Sequence, residues 1–182
     1  GLNAYLTVLV LGVAGRRGWA DTPESLQSNA VLAAAASMFA VEFVVDKLPL
    51  LDSAWDLVHT LVRPCVAAAV GGAIAGAEIG RPWAAFAAAG LALAGHTTKA
   101  STRLAINVSP EPFTNIAASV AEDSIVVTLV ALAITRPRLA AVLALIALAA
   151  GLTIAVLLFR LARRGLLSVS ALVRARQREP RA

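Results

Sequence analysis

The chain has 182 residues, of which 59% are hydrophobic and only 15% are charged. Soluble domains carry about 25% charged residues, so this composition excludes an ordinary soluble domain and indicates a membrane protein. The net charge is +5, and many arginines lie in the last part of the chain, after residue 159. A basic tail without aromatic residues is typical of a cytoplasmic anchor, so we expect a cytoplasmic C-terminus and no nucleic-acid partner.

Apolar runs along the chain predict about six membrane helices. They occupy residues 2–14, 25–45, 64–79, 82–95, 116–135 and 139–159. The last run contains 21 residues without a charge, which is enough to cross about 30 Å of hydrocarbon. We therefore predict an all-α polytopic helix bundle over residues 1–160, with an extra C-terminal span at 139–159 and a basic tail at 161–182.

The first of two predicted helix breaks lies at Leu48-Pro49. Proline lacks the amide hydrogen and disfavours helix in the residue before it. A short helix over 53–62 should follow, capped by Asp52, before Arg63-Pro64 begins a new span. That span carries Gly72, Gly76 and Gly80, a spacing of small residues that lets helices approach closely.

The second predicted break lies at Ser109-Pro110-Glu111-Pro112, after a helix that begins at Arg81-Pro82. The chain therefore has two polar segments, at about 46–63 and 96–123, that interrupt apolar helices. Non-helical backbone inside a membrane must be buried in protein or line a wet cavity. We expect these segments to be broken or re-entrant and to form the centre of the molecule.

Three helical segments each carry a narrow polar stripe at helical spacing. The stripes are Asp52, Asp56, His59 and Arg63; then His96, Lys99, Arg103 and Asn107; then Asn115, Ser119 and Glu122. A charge exposed at the bilayer centre costs about 2.5–3.5 kcal/mol or more, so the stripes should face one another or water. Acids on the first and third stripes can then neutralise bases on the second.

The first and third stripes also resemble each other. Pro49-x-x-Asp52-x-x-x-Asp56 matches Pro112-x-x-Asn115-x-x-x-Ser119 at an offset of 63 residues. Repeats with interrupted helices are typical of transporters, so we predict repeat halves at 25–80 and 82–135, related as an inverted repeat. The alternative is that two proline-started helices resemble each other by chance.

The ionisable residues allow several kinds of site. Asp52, Asp56 and His59 could present two carboxylates and an imidazole to a metal ion. Arg63, Lys99 and Arg103 would suit an anion or a lipid phosphate. The same residues are also compatible with a proton relay or with purely structural ion pairs. The candidate substrate-binding or coupling residues are Glu42, Asp46, Lys47, Asp52, Asp56, His59, Arg63, His96, Lys99, Arg103, Asn107, Asn115, Glu122 and Asp123.

Several motifs resemble a family of bacterial multi-pass membrane proteins, the domain of unknown function DUF4126. They are GLNAYLTVLVLGVAGR at the N-terminus, E-x-x-x-DK-x-P-x-x-D-x-x-x-D from Glu42 to Asp56, HTLVRP, H-x-x-K-x-x-x-R from His96, N-x-SPEP-x-x-N from Asn107, and S-x-x-ED from Ser119. The resemblance covers about residues 1–135 and implies an integral membrane protein without supplying an activity. Cys65-Val66 departs from it, since small residues and a glycine are expected there.

The functional expectation therefore depends on the polar stripes. We expect a small transporter or lipid flippase for an anionic or phosphate-bearing substrate, coupled to protons or a cation, in the bacterial inner membrane. The alternatives are a metal-dependent enzyme acting on lipid phosphate and a structural subunit of a membrane complex. The expected partners are membrane lipids, the small anionic substrate and, for an oligomer, a second copy of the chain. The sequence assigns no cofactor.

Overall fold

The computed structural model describes residues 2–48, 51–107 and 112–177, without the side chains of 107, 112, 162 and 165–177. This part of the chain is helical and contains no strand, so the predicted all-α class is confirmed. The helices are α1 (Ala4–Arg16), α2 (Glu24–Gln27), α3 (Asn29–Val45), α4 (Leu51–Ile74), α5 (Gly76–Ile79), α6 (Arg81–Asn107), α7 (Pro112–Thr135) and α8 (Pro137–Gln177).

Three of the described helices are long and apolar enough to cross a membrane, namely Leu51–Ile74, Phe113–Thr135 and Pro137–Leu161. They indicate a membrane protein. α1 and α3 are also apolar but have only 13 and 17 residues, fewer than the roughly 20 that a perpendicular crossing needs. The count of about six spans stays a prediction.

Side chains fix the beginnings of α1 and α3. The Asn3 side-chain oxygen accepts a hydrogen bond from the backbone N–H of Leu6 at 2.9 Å, and the Ser28 hydroxyl accepts one from Val31 at 3.3 Å. Each satisfies an amide that the first helical turn leaves without a partner. Between α5 and α6 the chain turns at Gly80, whose φ of +84° favours glycine.

The prediction that Arg63-Pro64 begins a new helix is wrong. α4 continues through Pro64 from Leu51 to Ile74. A proline removes only one intrahelical hydrogen bond, and packing against neighbouring helices compensates for it. α4 has its most extensive interface with α6, which holds the helix together through the proline.

The predicted row of glycines, Gly72, Gly76 and Gly80, does not lie on one helix. Gly76 lies in α5 and Gly80 in the following turn, so they do not extend the face of α4. The close approach of α4 to α6 occurs at Gly71, where an added Cβ would meet Ala84 and Ala88. Small residues therefore do allow close helix packing, but the closest approach lies at Gly71 and not at the predicted Gly72.

The remaining helices surround the α4–α6 pair. α8 packs against α6 and α7, while α1 packs against α3 and α7. Leu6 of α1 forms one apolar cluster with Val126 and Val130 of α7. This arrangement places the polar faces of α3, α4, α6 and α7 inside the bundle.

Helices end and restart around both predicted breaks. α3 ends at Val45 and α4 begins at Leu51, while α6 ends at Asn107 and α7 begins at Pro112. Residues 49–50 and 108–111, on which the break predictions partly fall, lie outside the described residues. The re-entrant path and the inverted repeat stay predictions.

Candidate functional site

The polar stripes face the inside of the bundle, as their spacing predicted. On α4, Asp52, Asp56, His59 and Arg63 are all buried. On α6, His96, Lys99 and Arg103 are at most 2% exposed. Asn115 and Ser119 of α7 are equally buried, so three helices direct polar side chains to one place.

Two acids at the end of α3 bridge the cations of α4 and α6. One oxygen of Glu42, on α3, lies 2.5 Å from Arg63 Nη2 and 3.3 Å from Lys99 Nζ. One oxygen of Asp46 lies 2.6 Å from Lys99 and 3.7 Å from Arg103. These acids join the end of α3 to both helices.

Glu122 of α7 joins the same cations from the opposite side. Its Oε2 accepts a hydrogen bond from Arg103 Nη2 at 2.8 Å and lies 3.6 Å from Lys99 Nζ. Lys99, Asp46, Arg103 and Glu122 therefore form a closed ring of alternating charge. The ring holds three helical segments together.

Arg103 is also held by neutral groups. Its Nη1 donates to the Asn115 side-chain oxygen at 2.9 Å and to the backbone carbonyl of Asp46 at 2.9 Å. Asp52 lies 3.9 Å away, and Asp52 Oδ1 accepts the Ser53 N–H at 2.6 Å in the first turn of α4. The Arg103 guanidinium thus contacts the beginnings of α4 and α7 and the turn after α3.

At the other end, Arg63 contacts Asp56 and His96. Arg63 Nη1 lies 3.1 Å from Asp56 Oδ1 and donates to His96 Nδ1 at 2.5 Å. Because a guanidinium only donates, Nδ1 must accept, and a neutral His96 carries its proton on Nε2. That nitrogen faces the Thr60 hydroxyl at 3.1 Å.

His59 lies on the side of the stripe that faces α1. Its Nε2 is 2.8 Å from the Tyr5 hydroxyl, and its Nδ1 is 2.8 Å from the Trp55 carbonyl. Because a carbonyl only accepts, Nδ1 carries a proton and the hydroxyl donates to Nε2 of the neutral ring. The Trp55 ring stacks on His59 at 4.4 Å.

Sequence reasoning missed the contribution of α1. Besides Tyr5, it supplies Asn3, which is 2% exposed and donates to Asp123 Oδ1 at 3.0 Å. The available signal was the presence of two polar side chains at the start of an otherwise apolar run. α1 therefore contacts candidate residues on both α4 and α7.

The remaining predicted residues are Lys47 and Asn107. Lys47 donates to the Phe43 carbonyl at 2.7 Å and to Ser119 at 3.4 Å, and its ammonium lies over the Phe43 ring. Asn107 is the last residue of α6, and its side chain lies outside the described residues.

We define the charge cluster as the side chains inside the bundle that are joined by ion pairs, all of them buried except the partly exposed Glu122. They are Glu42, Asp46, Asp52, Asp56, Arg63, Lys99, Arg103 and Glu122. With all of these groups ionised, the five carboxylates and three cations carry a formal charge of −2. Burying net charge is unfavourable unless something neutralises it. The cluster is therefore suited to bind protons or cations.

The predicted metal ligands do not form a metal site. The part of the chain that the structure describes contains no group of three His, Cys, Asp or Glu residues placed to hold a metal ion. Both ring nitrogens of His59 already have hydrogen-bond partners. Among the described residues the metal-dependent enzyme therefore has no ligand set, and this alternative stays an untested prediction.

Long apolar helices around buried ion pairs define the class of the molecule as a helical membrane protein with a charged interior. The model of the domain of unknown function DUF4126 matches residues 1–159. The chain belongs to this family, which confirms the resemblance found in its motifs. No curated protein and no solved structure matches the chain.

Proposed function

We propose that the chain is a small membrane transporter for an anionic, phosphate-bearing substrate, and that protons are coupled to transport through the charge cluster. The observation that carries the proposal is the excess of two carboxylates over cations among buried, paired side chains. Structural ion pairs need no such excess. Ionisable residues inside a membrane protein typically mark ion or substrate pathways.

The cations supply the chemistry for the anion. Arg63 and Arg103 can each bind a phosphate group through parallel hydrogen bonds, and Lys99 adds a compact charge. All three are buried and already held by carboxylates. A substrate anion must therefore compete with the carboxylates for the same N–H groups.

This competition provides a coupling mechanism. A carboxylate that takes up a proton loses its charge and interacts more weakly with its cation. The cation is then available to the substrate, so proton binding favours anion binding. By linkage, the bound anion favours proton binding equally.

Purified protein reconstituted into liposomes tests the proposal with two probes. Radiolabelled dimethyl phosphate is a diester that stays a monoanion over the working pH range, and a fluorescent phosphatidylglycerol carries the same diester in a lipid. We expect an inward pH gradient, acidic outside, to accelerate movement of at least one probe above protein-free liposomes. Movement of the lipid alone would identify a flippase, and movement of the small ester alone a transporter of soluble substrates.

The Arg103→Gln variant should reduce this movement at least about tenfold, because a hydrogen bond to a charged group contributes about 1.5–3 kcal/mol. Arg138→Gln is the matched control, since Arg138 is exposed at the start of α8. Equal rates in wild type and protein-free liposomes for both probes would refute the proposed function.

A further inference from the structure

We propose that the carboxyl group of Asp56 is the proton-binding group of the charge cluster and that it gains and loses its proton between mildly acidic and neutral pH. The inference deepens the proposed function by naming the group that exchanges the coupled proton. Its test does not depend on a transport assay.

Asp56 has the poorest hydrogen bonding of the acids in the charge cluster. It is only 3% exposed, and neither of its carboxyl oxygens has a hydrogen-bond partner among the described residues. Asp56 Oδ1 forms an ion pair with Arg63 Nη1 at 3.1 Å, but the same nitrogen also donates a hydrogen bond to His96 Nδ1. The other terminal nitrogen, Nη2, donates to Glu42.

The other acids are better compensated. Glu42, Asp46 and Glu122 each place one oxygen within 3.7 Å of two cations. Asp52 lies in the first turn of α4 and accepts the Ser53 N–H, where the positive end of the helix favours an anion. Protonation, which removes the negative charge of a carboxylate, is therefore least unfavourable at Asp56.

The surroundings of Asp56 favour the same assignment. The charged groups close enough to act on it are Arg63 on its own helix, Lys99 on α6, Asp46 after α3, and Glu122 on α7. His96 on α6 faces it through Arg63, and Tyr5 of α1 donates to His59 one turn further along. Arg63 and Lys99 are already shared with Glu42, Asp46 and Glu122.

The chemical step is simple proton binding. A carboxylate oxygen of Asp56 takes up a proton from a hydronium ion of the aqueous phase: one O–H bond of hydronium breaks, one O–H bond to Asp56 forms, and a water molecule is released. The formal charge of the cluster changes from −2 to −1. Asp56 then no longer neutralises Arg63, which can accept a substrate anion in its place.

Infrared spectroscopy of the protein in lipid vesicles tests the inference directly. At mildly acidic pH we expect a carbonyl stretch of a protonated carboxylic acid that is present in wild type and lost in Asp56→Asn. The Asp56→Glu variant should retain a band at a shifted frequency. Glu78→Gln is the control, because Glu78 is exposed in α5, and it should leave the band unchanged.

The stability of the same variants gives a second readout. Asparagine resembles a protonated aspartic acid, so at mildly acidic pH Asp56→Asn should leave the denaturation midpoint unchanged or raised. Glu42→Gln should lower it, because Glu42 is an ionised partner of Arg63 and Lys99.

No protonated-carboxyl band in wild type, or a band that persists unchanged in Asp56→Asn, would overturn the inference. A strongly lowered midpoint in Asp56→Asn would do the same, since it would mean that Asp56 is ionised. The band without transport of either probe would refute only the proposed function, and transport without the band would refute only this inference.

Discussion

The guanidinium group of Arg63 contacts an acid on α3, an acid on its own helix and a histidine on α6. Only arginine offers several N–H donors in a planar fork that can serve three such partners at once. The side chain is 1% exposed. Its removal would leave Glu42 and Asp56 without the guanidinium that both contact inside the bundle.

We predict that Arg63→Gln destabilises the protein by about 3–5 kcal/mol, the usual penalty for removing one partner of a buried ion pair. Arg63→Lys should recover only part of the loss, because an ammonium cannot reach all three partners. Denaturation of the purified protein in mixed micelles measures both changes. The control Arg81→Gln should stay within about 0.5 kcal/mol, since Arg81 is exposed.

Adding Glu42→Gln to Arg63→Gln tests whether the two side chains act together. The double variant should be less destabilised than the two single variants combined, by about 0.5–3 kcal/mol. Strict additivity would contradict the ion pair at 2.5 Å.

Most of the polar side chains of the candidate site could be predicted from the sequence alone. Spacing of i, i+4, i+7 and i+11 placed Asp52, Asp56, His59 and Arg63 on one face, and burial of charge required that face to point inward. The partners of each residue could not be predicted, because they depend on how α1, α3 and α7 pack. Tyr5 and Asn3 were missed for this reason.

At the scale of helices, the charge cluster depends on the close packing of α4 against α6. Gly71 makes this possible, because its missing Cβ leaves room for the backbone of Ala84 and the side chain of Ala88. Small residues at helix interfaces let backbones approach closely in membrane proteins.

We predict that Gly71→Leu destabilises the protein by about 1–3 kcal/mol through overpacking and also lowers transport by separating Arg63 from Lys99 and Glu42. Gly90→Leu is the matched control. Gly90 lies in the middle of α6 with nothing within 4 Å of an added Cβ, and leucine is the better helix former. If Gly71→Leu and Gly90→Leu are equally stable on denaturation in mixed micelles, the close packing of α4 against α6 is contradicted.

Helix positions were predicted from apolar runs and prolines, with one informative error. Arg81-Pro82 does begin α6, but Pro64 does not begin a helix. Both sites have the sequence Arg-Pro, so local propensity cannot distinguish them. The difference arises from tertiary packing, since α6 contacts α4 before Pro64, at Thr60, and after it, at Gly71.

For the whole molecule, apolar length and composition predicted an all-helical membrane protein, and three long helices agree with it. The large exposed side chains of α8, such as Leu145 and Phe159, are suited to contact lipid. The buried charged side chains are instead gathered between α3, α4, α6 and α7. A lipid-facing exterior around a charged interior is the arrangement that the proposed transport requires.

In the proposed mechanism, protons and substrate move together through this interior. The most direct test uses liposomes that contain the protein and an internal pH-sensitive dye, with dimethyl phosphate added outside at equal internal and external pH. Because this ester keeps its charge over the working range, internal acidification during its uptake reports coupled protons. We predict acidification with wild-type protein and none with Asp56→Asn, whereas uptake of the ester without acidification in wild type would contradict the account.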